Sequence, residues 1–224
     1  MNSPSSPSWY REIASRIWRL WPLKAIGTMA FMGLFFYAYF AVLRHPLGVP
    51  TIMPLTFVDR LIPFTPAAFA VYASLWVYVS LPPALLGGLR SLLLFGLWIA
   101  AMCLFCLGLF WLWPTSVPPA GIDWADYPGM AVLKGIDAAG NACPSLHVAS
   151  AVFSALWFDR VFARIRAPQV LRWASGIFCL AILWSTMATR QHVALDVLAG
   201  TAVGVIFGLL SLRHVAGQAD DQFI

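Results

Sequence analysis

Six long apolar segments constrain the fold of this chain more than any other feature. A helix needs about 20 mostly apolar residues to cross the hydrocarbon core of a bilayer. Only 10% of the 224 residues are charged, against about 25% in an ordinary soluble domain. The predicted spans are residues 26–43, 66–86, 91–113, 144–158, 173–187 and 192–212. The sequence therefore predicts an all-α integral membrane protein, built as a six-transmembrane helical bundle.

Polar segments flank this bundle at both ends of the chain. Residues 1–25 begin with a Ser- and Pro-rich stretch and continue with basic side chains among aromatic ones. That pattern is typical of an amphipathic helix on an anionic membrane face, or of a positively charged flank of the first span. We therefore predict a cytoplasmic N-terminal segment over 1–25, a membrane domain over 26–213 and a cytoplasmic tail over 214–224.

The charges between the spans predict the orientation. Residues 1–25 hold four basic side chains and one Glu, and residues 159–172 hold four Arg and one Asp. Residues 115–143 hold three Asp and a single basic side chain, Lys134. Because basic segments stay in the cytoplasm, both termini are predicted there and residues 115–143 outside. The net charge of +5 then reflects membrane orientation, and no nucleic-acid partner is expected.

Two motifs with ionisable side chains lie at the outer ends of predicted spans. Residues 143–147 read Cys-Pro-Ser-Leu-His, and residues 190–196 read Arg-Gln-His-Val-Ala-Leu-Asp. The predicted topology places both motifs on the same membrane face. His192 and Asp196 are four residues apart, so they share one side of a helix. Ionisable groups at the boundary of the membrane indicate a functional site by default.

These residue types suit phosphate chemistry. Pro144 is expected in the first turn of a helix, whose free N–H groups favour an anion, and Ser145 adds a hydroxyl. In the mechanism that we predict, Asp196 fixes the tautomer of His192, which attacks phosphorus. His147 then protonates the leaving oxygen and activates the second nucleophile. No cofactor or metal is expected.

Interpretations other than catalysis exist for the same residues. The histidines could simply reach the membrane interface, and Asp196 could cap its helix or pair with Arg190. Two histidines and an aspartate could also bind zinc. Gly200, Gly204 and Gly208 recur every four residues, a spacing that favours close helix packing over ligand binding.

At these positions the chain resembles the type 2 phosphatidic acid phosphatase superfamily of membrane enzymes. Residues 144–147 look like its second signature block, and residues 192–196 look like the end of its third block. The resemblance implies that His147 is the general acid, His192 the nucleophile and Asp196 its partner. It also implies six helices with the site at the outer face. Asp59, Ile62-Pro63-Phe64 and Pro114-Thr115 resemble the branch that contains inositol-phosphorylceramide synthases.

The chain departs from the family pattern in its cations. The first block of the family supplies a lysine and an arginine–proline pair, which residues 112–119 lack. The third block has a serine–arginine pair where this chain has Ser185 and Thr186. Because charge-assisted contacts to phosphate are strong, we expect Lys134 and Arg190 to replace these cations, with Ser145 as a further substrate-binding residue.

The expected function is hydrolysis of a lipid phosphate or pyrophosphate at the outer membrane face. A phosphotransferase that moves a phospho-head group to another acceptor would use the same residues and remains an alternative. A non-catalytic lipid-binding or transport protein is a third. The expected location is a bacterial inner membrane, with the site facing the periplasm and with a phosphorylated lipid and membrane lipids as partners. The sequence leaves the substrate lipid and the oligomeric state open.

Overall fold

The fold is all-α, as predicted. The computed structural model describes residues 8–137 and 140–216, with the backbone alone at 133–137 and 216. Within these ranges the α-helices are α1 (Trp9–Trp18), α2 (Trp21–Arg44), α3 (Phe57–Leu61), α4 (Ala68–Ala73), α5 (Leu75–Leu85), α6 (Leu89–Leu112), α7 (Pro128–Asp137), α8 (Leu146–Arg164), α9 (Gln169–Ala188) and α10 (Ala194–Ala216). Two short strands, β1 (Thr51–Ile52) and β2 (Thr115–Ser116), and a 3-10 turn (Trp124–Asp126) complete the described elements.

Six helical segments are long and apolar enough to cross a membrane, which confirms the predicted number. Five are the single helices α2, α6, α8, α9 and α10, and the second in chain order combines α4 and α5. These two helices meet at Ser74, whose N–H donates to Ala70 O at 3.0 Å. The Tyr78 N–H donates to Ser74 O at 2.9 Å. The hydrogen-bond ladder therefore continues through the junction, and α4–α5 acts as one span.

Several helix boundaries differ from the expected ones for local reasons. The fourth span begins at Leu146, with Ser145 as N-cap, because the Ser145 hydroxyl accepts the Val148 N–H at 3.3 Å. Serine is among the preferred N-cap residues, so Pro144 precedes the cap and does not occupy the first turn. At the other end of the chain, α2 begins at Trp21, where a proline in the first turn is favourable. Residues 1–7 and 217–224 of the expected flanking segments lie outside the described residues.

Helices α8 and α10 pack closely along the predicted glycine stripe. A Cβ at Gly204 would lie 2.6 Å from Ala149 O, and one at Gly208 would lie 2.5 Å from Leu156 Cδ1. A Cβ at Gly200 would overlap the Ser145 carbonyl oxygen. These contacts confirm the packing interpretation of the three glycines. Backbone oxygens leave room only for a hydrogen atom at Gly200 and Gly204, and the Leu156 side chain packs against Gly208.

The segments that connect the spans on the side of the two motifs contain regular secondary structure. Strand β1, which follows α2, pairs in parallel with β2, which follows α6, with Thr51 opposite Thr115. Residues 115–143, which are predicted to lie outside, include β2, the 3-10 turn and α7. These segments lie at the end of the bundle where α8 and α10 begin.

Candidate active site

The two predicted histidines meet directly at the start of α8 and α10. His147 Nδ1 lies 3.1 Å from His192 Nε2, within hydrogen-bond distance, and the ring centroids are 5.3 Å apart. The two helix starts are also tied through the backbone, because the Ser145 N–H donates to Asp196 O at 3.0 Å. The structure therefore brings together both motifs, which lie 45 residues apart in the chain.

Asp196 stands on the opposite side of the His192 ring. Its Oδ2 lies 3.5 Å from His192 Nδ1 and accepts the Val193 N–H at 3.0 Å. The carboxylate is fully buried and His192 is 6% exposed. Within the described residues His192 Nδ1 has no hydrogen-bond partner, and its contact with Asp196 is electrostatic at this distance. A carboxylate here favours the tautomer with its proton on Nδ1, which leaves the Nε2 lone pair facing His147.

A tyrosine that the sequence analysis did not single out completes the line of polar groups. The hydroxyl of Tyr72, on α4, lies 2.9 Å from His147 Nε2, and the side chain is only 1% exposed. Because a tyrosine hydroxyl can donate or accept, it can bond this nitrogen in either protonation state of the imidazole. The signal in the sequence was a tyrosine inside an apolar span, since a buried hydroxyl usually has a partner.

Asp59 and Arg190 fasten the segment around α3 to the start of α10. The Asp59 carboxylate accepts the Ala194 N–H at 2.7 Å and the Thr56 N–H at 2.7 Å. Burial raises the pKa of Asp59, but these hydrogen bonds outweigh burial and hold the pKa below its ordinary value. The Arg190 guanidinium donates to Asp59 O at 3.4 Å and to Ile62 O at 3.1 Å. The backbone at Arg190 is left-handed, with φ 56°.

The remaining predicted substrate-binding residues occupy different positions. Ser145 is fully buried, and its hydroxyl caps α8. Lys134 falls within α7, but its side chain lies outside the described part of the chain. Cys143, the first residue of the first motif, is held by Thr115, whose hydroxyl accepts the Cys143 N–H at 2.8 Å. Burial and the nearby Asp196 carboxylate raise the pKa of the Cys143 thiol to about 11, so this thiol is protonated at neutral pH.

Four polar side chains are aligned near the starts of α8 and α10. Asp196, His192, His147 and Tyr72 form a continuous row that runs from α10 to α4. Among the side chains that the structure describes, no cluster of three or more His, Cys, Asp or Glu has a geometry that could hold a metal ion. A carboxylate behind one imidazole, with a second imidazole in front, is suited to imidazole-based nucleophilic and acid–base chemistry.

Comparison with known proteins agrees with this chemistry. Residues 113–219, slightly less than half of the chain, match the model of the PAP2 superfamily. This stretch includes both histidine motifs, so their resemblance to the type 2 phosphatidic acid phosphatases is confirmed at the level of the superfamily. The match supports a phosphatase or phosphotransferase type of activity in an integral membrane protein. No curated protein and no solved structure matches the chain.

Proposed function

We propose that this protein hydrolyses a lipid phosphate or pyrophosphate through a phosphohistidine intermediate on His192. The observation that carries the proposal is the 3.1 Å contact between His192 Nε2 and His147 Nδ1, with Asp196 behind His192. A single phosphoryl group that enters between these nitrogens replaces their hydrogen bond and contacts both rings. The site lies at the end of apolar spans, where an amphiphilic substrate can present its head group from the bilayer.

In the first step, the Nε2 lone pair of His192 attacks phosphorus and forms the N–P bond. The bond from phosphorus to the leaving oxygen breaks, and His147 transfers the proton on its Nδ1 to that oxygen. Asp196 stabilises the positive charge that develops on the His192 ring, as a buried carboxylate does beside an imidazolium. Tyr72 keeps the His147 ring in place through its contact with Nε2.

In the second step, His147 accepts a proton from a water molecule, which attacks the phosphorus. The N–P bond breaks, inorganic phosphate leaves, and His192 recovers its lone pair. The same imidazole thus acts first as acid and then as base. Arg190, Lys134 and the first turn of α8, capped by Ser145, are proposed to hold the phosphate oxygens. To contact a phosphate oxygen, Arg190 would use N–H groups other than those that donate to the carbonyls of Asp59 and Ile62.

We propose a location in a bacterial inner membrane with the site facing the periplasm, and the charge distribution supports this orientation. The basic segments adjoin the ends of the spans that lie opposite the histidines. Because such segments remain in the cytoplasm, we propose cytoplasmic termini and a substrate held in the outer leaflet.

A transferase is the second candidate, and one observation favours it. The residues that resemble the inositol-phosphorylceramide synthase branch lie around the site. Asp59 accepts the N–H of the first residue of α10, the Ile62 carbonyl accepts from Arg190, and Thr115 holds Cys143. In a transferase, His147 would remove the proton from an alcohol in place of water, so that the phospho-head group passes to a second lipid.

A labelled-substrate assay tests the proposal. Purified protein in detergent is incubated with radiolabelled lipid phosphates, lipid pyrophosphates and phospholipids, with and without alcohol acceptors. Release of free phosphate that is lost in His192→Ala and His147→Ala variants supports the hydrolase. A new labelled phospholipid that needs the same two histidines indicates the transferase. Lipid binding without turnover in folded wild-type protein contradicts both and indicates a binding or transport role.

A further inference from the structure

A deep apolar cavity begins at the active-site histidine. It has a volume of about 540 Å³, and its wall comes from α2, α5, α6 and the first turns of α8. His147 and Ser150 lie in the wall at one end, so the cavity reaches the row of polar groups at His147, whose Nδ1 contacts His192. Trp76, also in the wall, packs edge-on against the His147 ring at a centroid distance of 5.9 Å.

The cavity extends from His147 towards the opposite membrane face. Its lining on α2 runs from Phe40 back to Leu23, which is about 26 Å along the helix axis. A bilayer has a hydrocarbon core of about 30 Å, so one leaflet contributes about 15 Å. The cavity is therefore deep enough for a hydrocarbon chain that extends past the middle of the bilayer.

A cation that already has partners lies at the far end of the cavity. Lys24 Nζ donates to Arg16 O at 2.6 Å and to Ala84 O at 2.8 Å. Most of the wall between Lys24 and His147 is aliphatic or aromatic, with the hydroxyl residues Thr28, Tyr39 and Ser80 as its few polar members. A head group at the histidines with a hydrocarbon chain pointing towards Lys24 fits this distribution of polarity, whereas a charged group in the middle would meet a largely apolar wall.

We infer that this cavity binds the hydrocarbon chain of the substrate lipid while its phosphate lies between His147 and His192. This inference rests on the proposed function for the identity of the head group. It makes Gly96 a specificity-determining residue. Gly96 lines the cavity on α6, and a Cβ built there would meet no atom within 4 Å. A larger side chain at Gly96 therefore fits without a clash, and it fills space in the cavity that the hydrocarbon chain of the lipid would occupy.

Gly96→Leu is the test variant, and Gly108→Leu is its matched control. Gly108 lies on the same helix, outside the cavity, and a Cβ there also meets no atom within 4 Å. Both substitutions replace glycine inside a helix with a residue of higher helix propensity. Any difference between the two variants therefore reports on the cavity.

Photo-crosslinking measures occupancy without depending on turnover. Each protein, in phosphatidylcholine vesicles, receives a long-chain lipid phosphate with a diazirine at the far end of its chain. Mass spectrometry then maps the label. We expect label on the cavity wall of α2 and α6 in wild type and Gly108→Leu, and a loss of about 10-fold in Gly96→Leu.

Two results would overturn the inference. One is equal labelling of the cavity in the Gly96→Leu variant. The other is equal labelling by a phosphatidylcholine that carries the same diazirine chain, since that outcome identifies bulk lipid as the occupant.

Phosphate release measured in parallel separates this inference from the proposed function. In an active protein, Gly96→Leu should raise KM about 10-fold for the long-chain substrate and leave a short-chain phosphate ester unaffected. Cavity labelling without phosphate release from any lipid would refute the proposed function and leave the chain site standing. Phosphate release without cavity labelling would refute the chain site alone.

Discussion

Gly200→Ala tests whether close packing of α8 and α10 sets the distance between the two histidines. The new Cβ would overlap Ser145 O and lie 3.1 Å from Val148 Cβ. At Gly204 the corresponding Cβ would lie 2.6 Å from Ala149 O, whereas ordinary contacts begin at 3.4 Å. To restore an ordinary contact, α8 and α10 would have to separate by about 0.8 Å at Gly204. The greater overlap at Gly200 needs a separation of about 1 Å.

A shift of that size should matter more for catalysis than for folding. A displacement of about 1 Å in an active site can reduce a rate by roughly 100-fold, while overpacking costs about 1–3 kcal/mol of stability. We therefore expect Gly200→Ala to remain folded in detergent, as measured by size-exclusion chromatography, with kcat for phosphate release lowered roughly 100-fold. Gly176→Ala is the control, because a Cβ at this α9 position meets nothing within 4 Å. A Gly200→Ala protein with wild-type kcat would refute the role of helix spacing.

Three further substitutions test the groups around the histidines. Asp196→Asn should remain folded and lose at least about 100-fold in kcat, because an amide does not stabilise the charged imidazole; full activity in a steady-state assay would contradict the orienting role. Tyr72→Phe removes one hydrogen bond of about 0.5–1.5 kcal/mol, so kcat should fall about 2- to 10-fold with an altered pH profile. Tyr78→Phe, whose lost hydroxyl contacts α9, should leave that profile unchanged, and identical profiles in both variants would remove Tyr72 from the mechanism. Asp59→Asn should be less stable than wild type at neutral pH in thermal unfolding. Because the folded pKa of Asp59 is depressed, this difference should shrink as the pH falls below the ordinary carboxylate range, and a constant difference would argue against the charge.

Features with a long or periodic signal in the sequence could be predicted. The six spans follow from hydrophobic length, and the pairing of the two motifs follows from counting spans between them. Close packing along the glycine stripe of α10 could also be predicted, since small residues at a spacing of four indicate one packed helix face. Each of these inferences needs only local composition and topology.

Features that depend on one specific tertiary contact could not be predicted. Nothing near Tyr72 in the sequence indicates that its hydroxyl reaches an imidazole 75 residues later in the chain. Asp59 was noticed only through a family resemblance, and its role as a cap on α10 depends on how the segment around α3 folds back. The charge of Arg190 predicts a contact with phosphate, but its sequence position does not predict that the guanidinium donates hydrogen bonds to two backbone carbonyls.

The most direct test of the central claim is to trap the phosphorylated enzyme and locate its label. Protein that has reacted with a lipid phosphate radiolabelled at phosphorus is quenched in alkali, where phosphohistidine persists, and is mapped by mass spectrometry. The proposed mechanism predicts label on His192 in wild type, none in His192→Ala, and label at the same position in Asp196→Asn at a lower rate. Label on another residue, or turnover without label at His192 under rapid quenching, would contradict it.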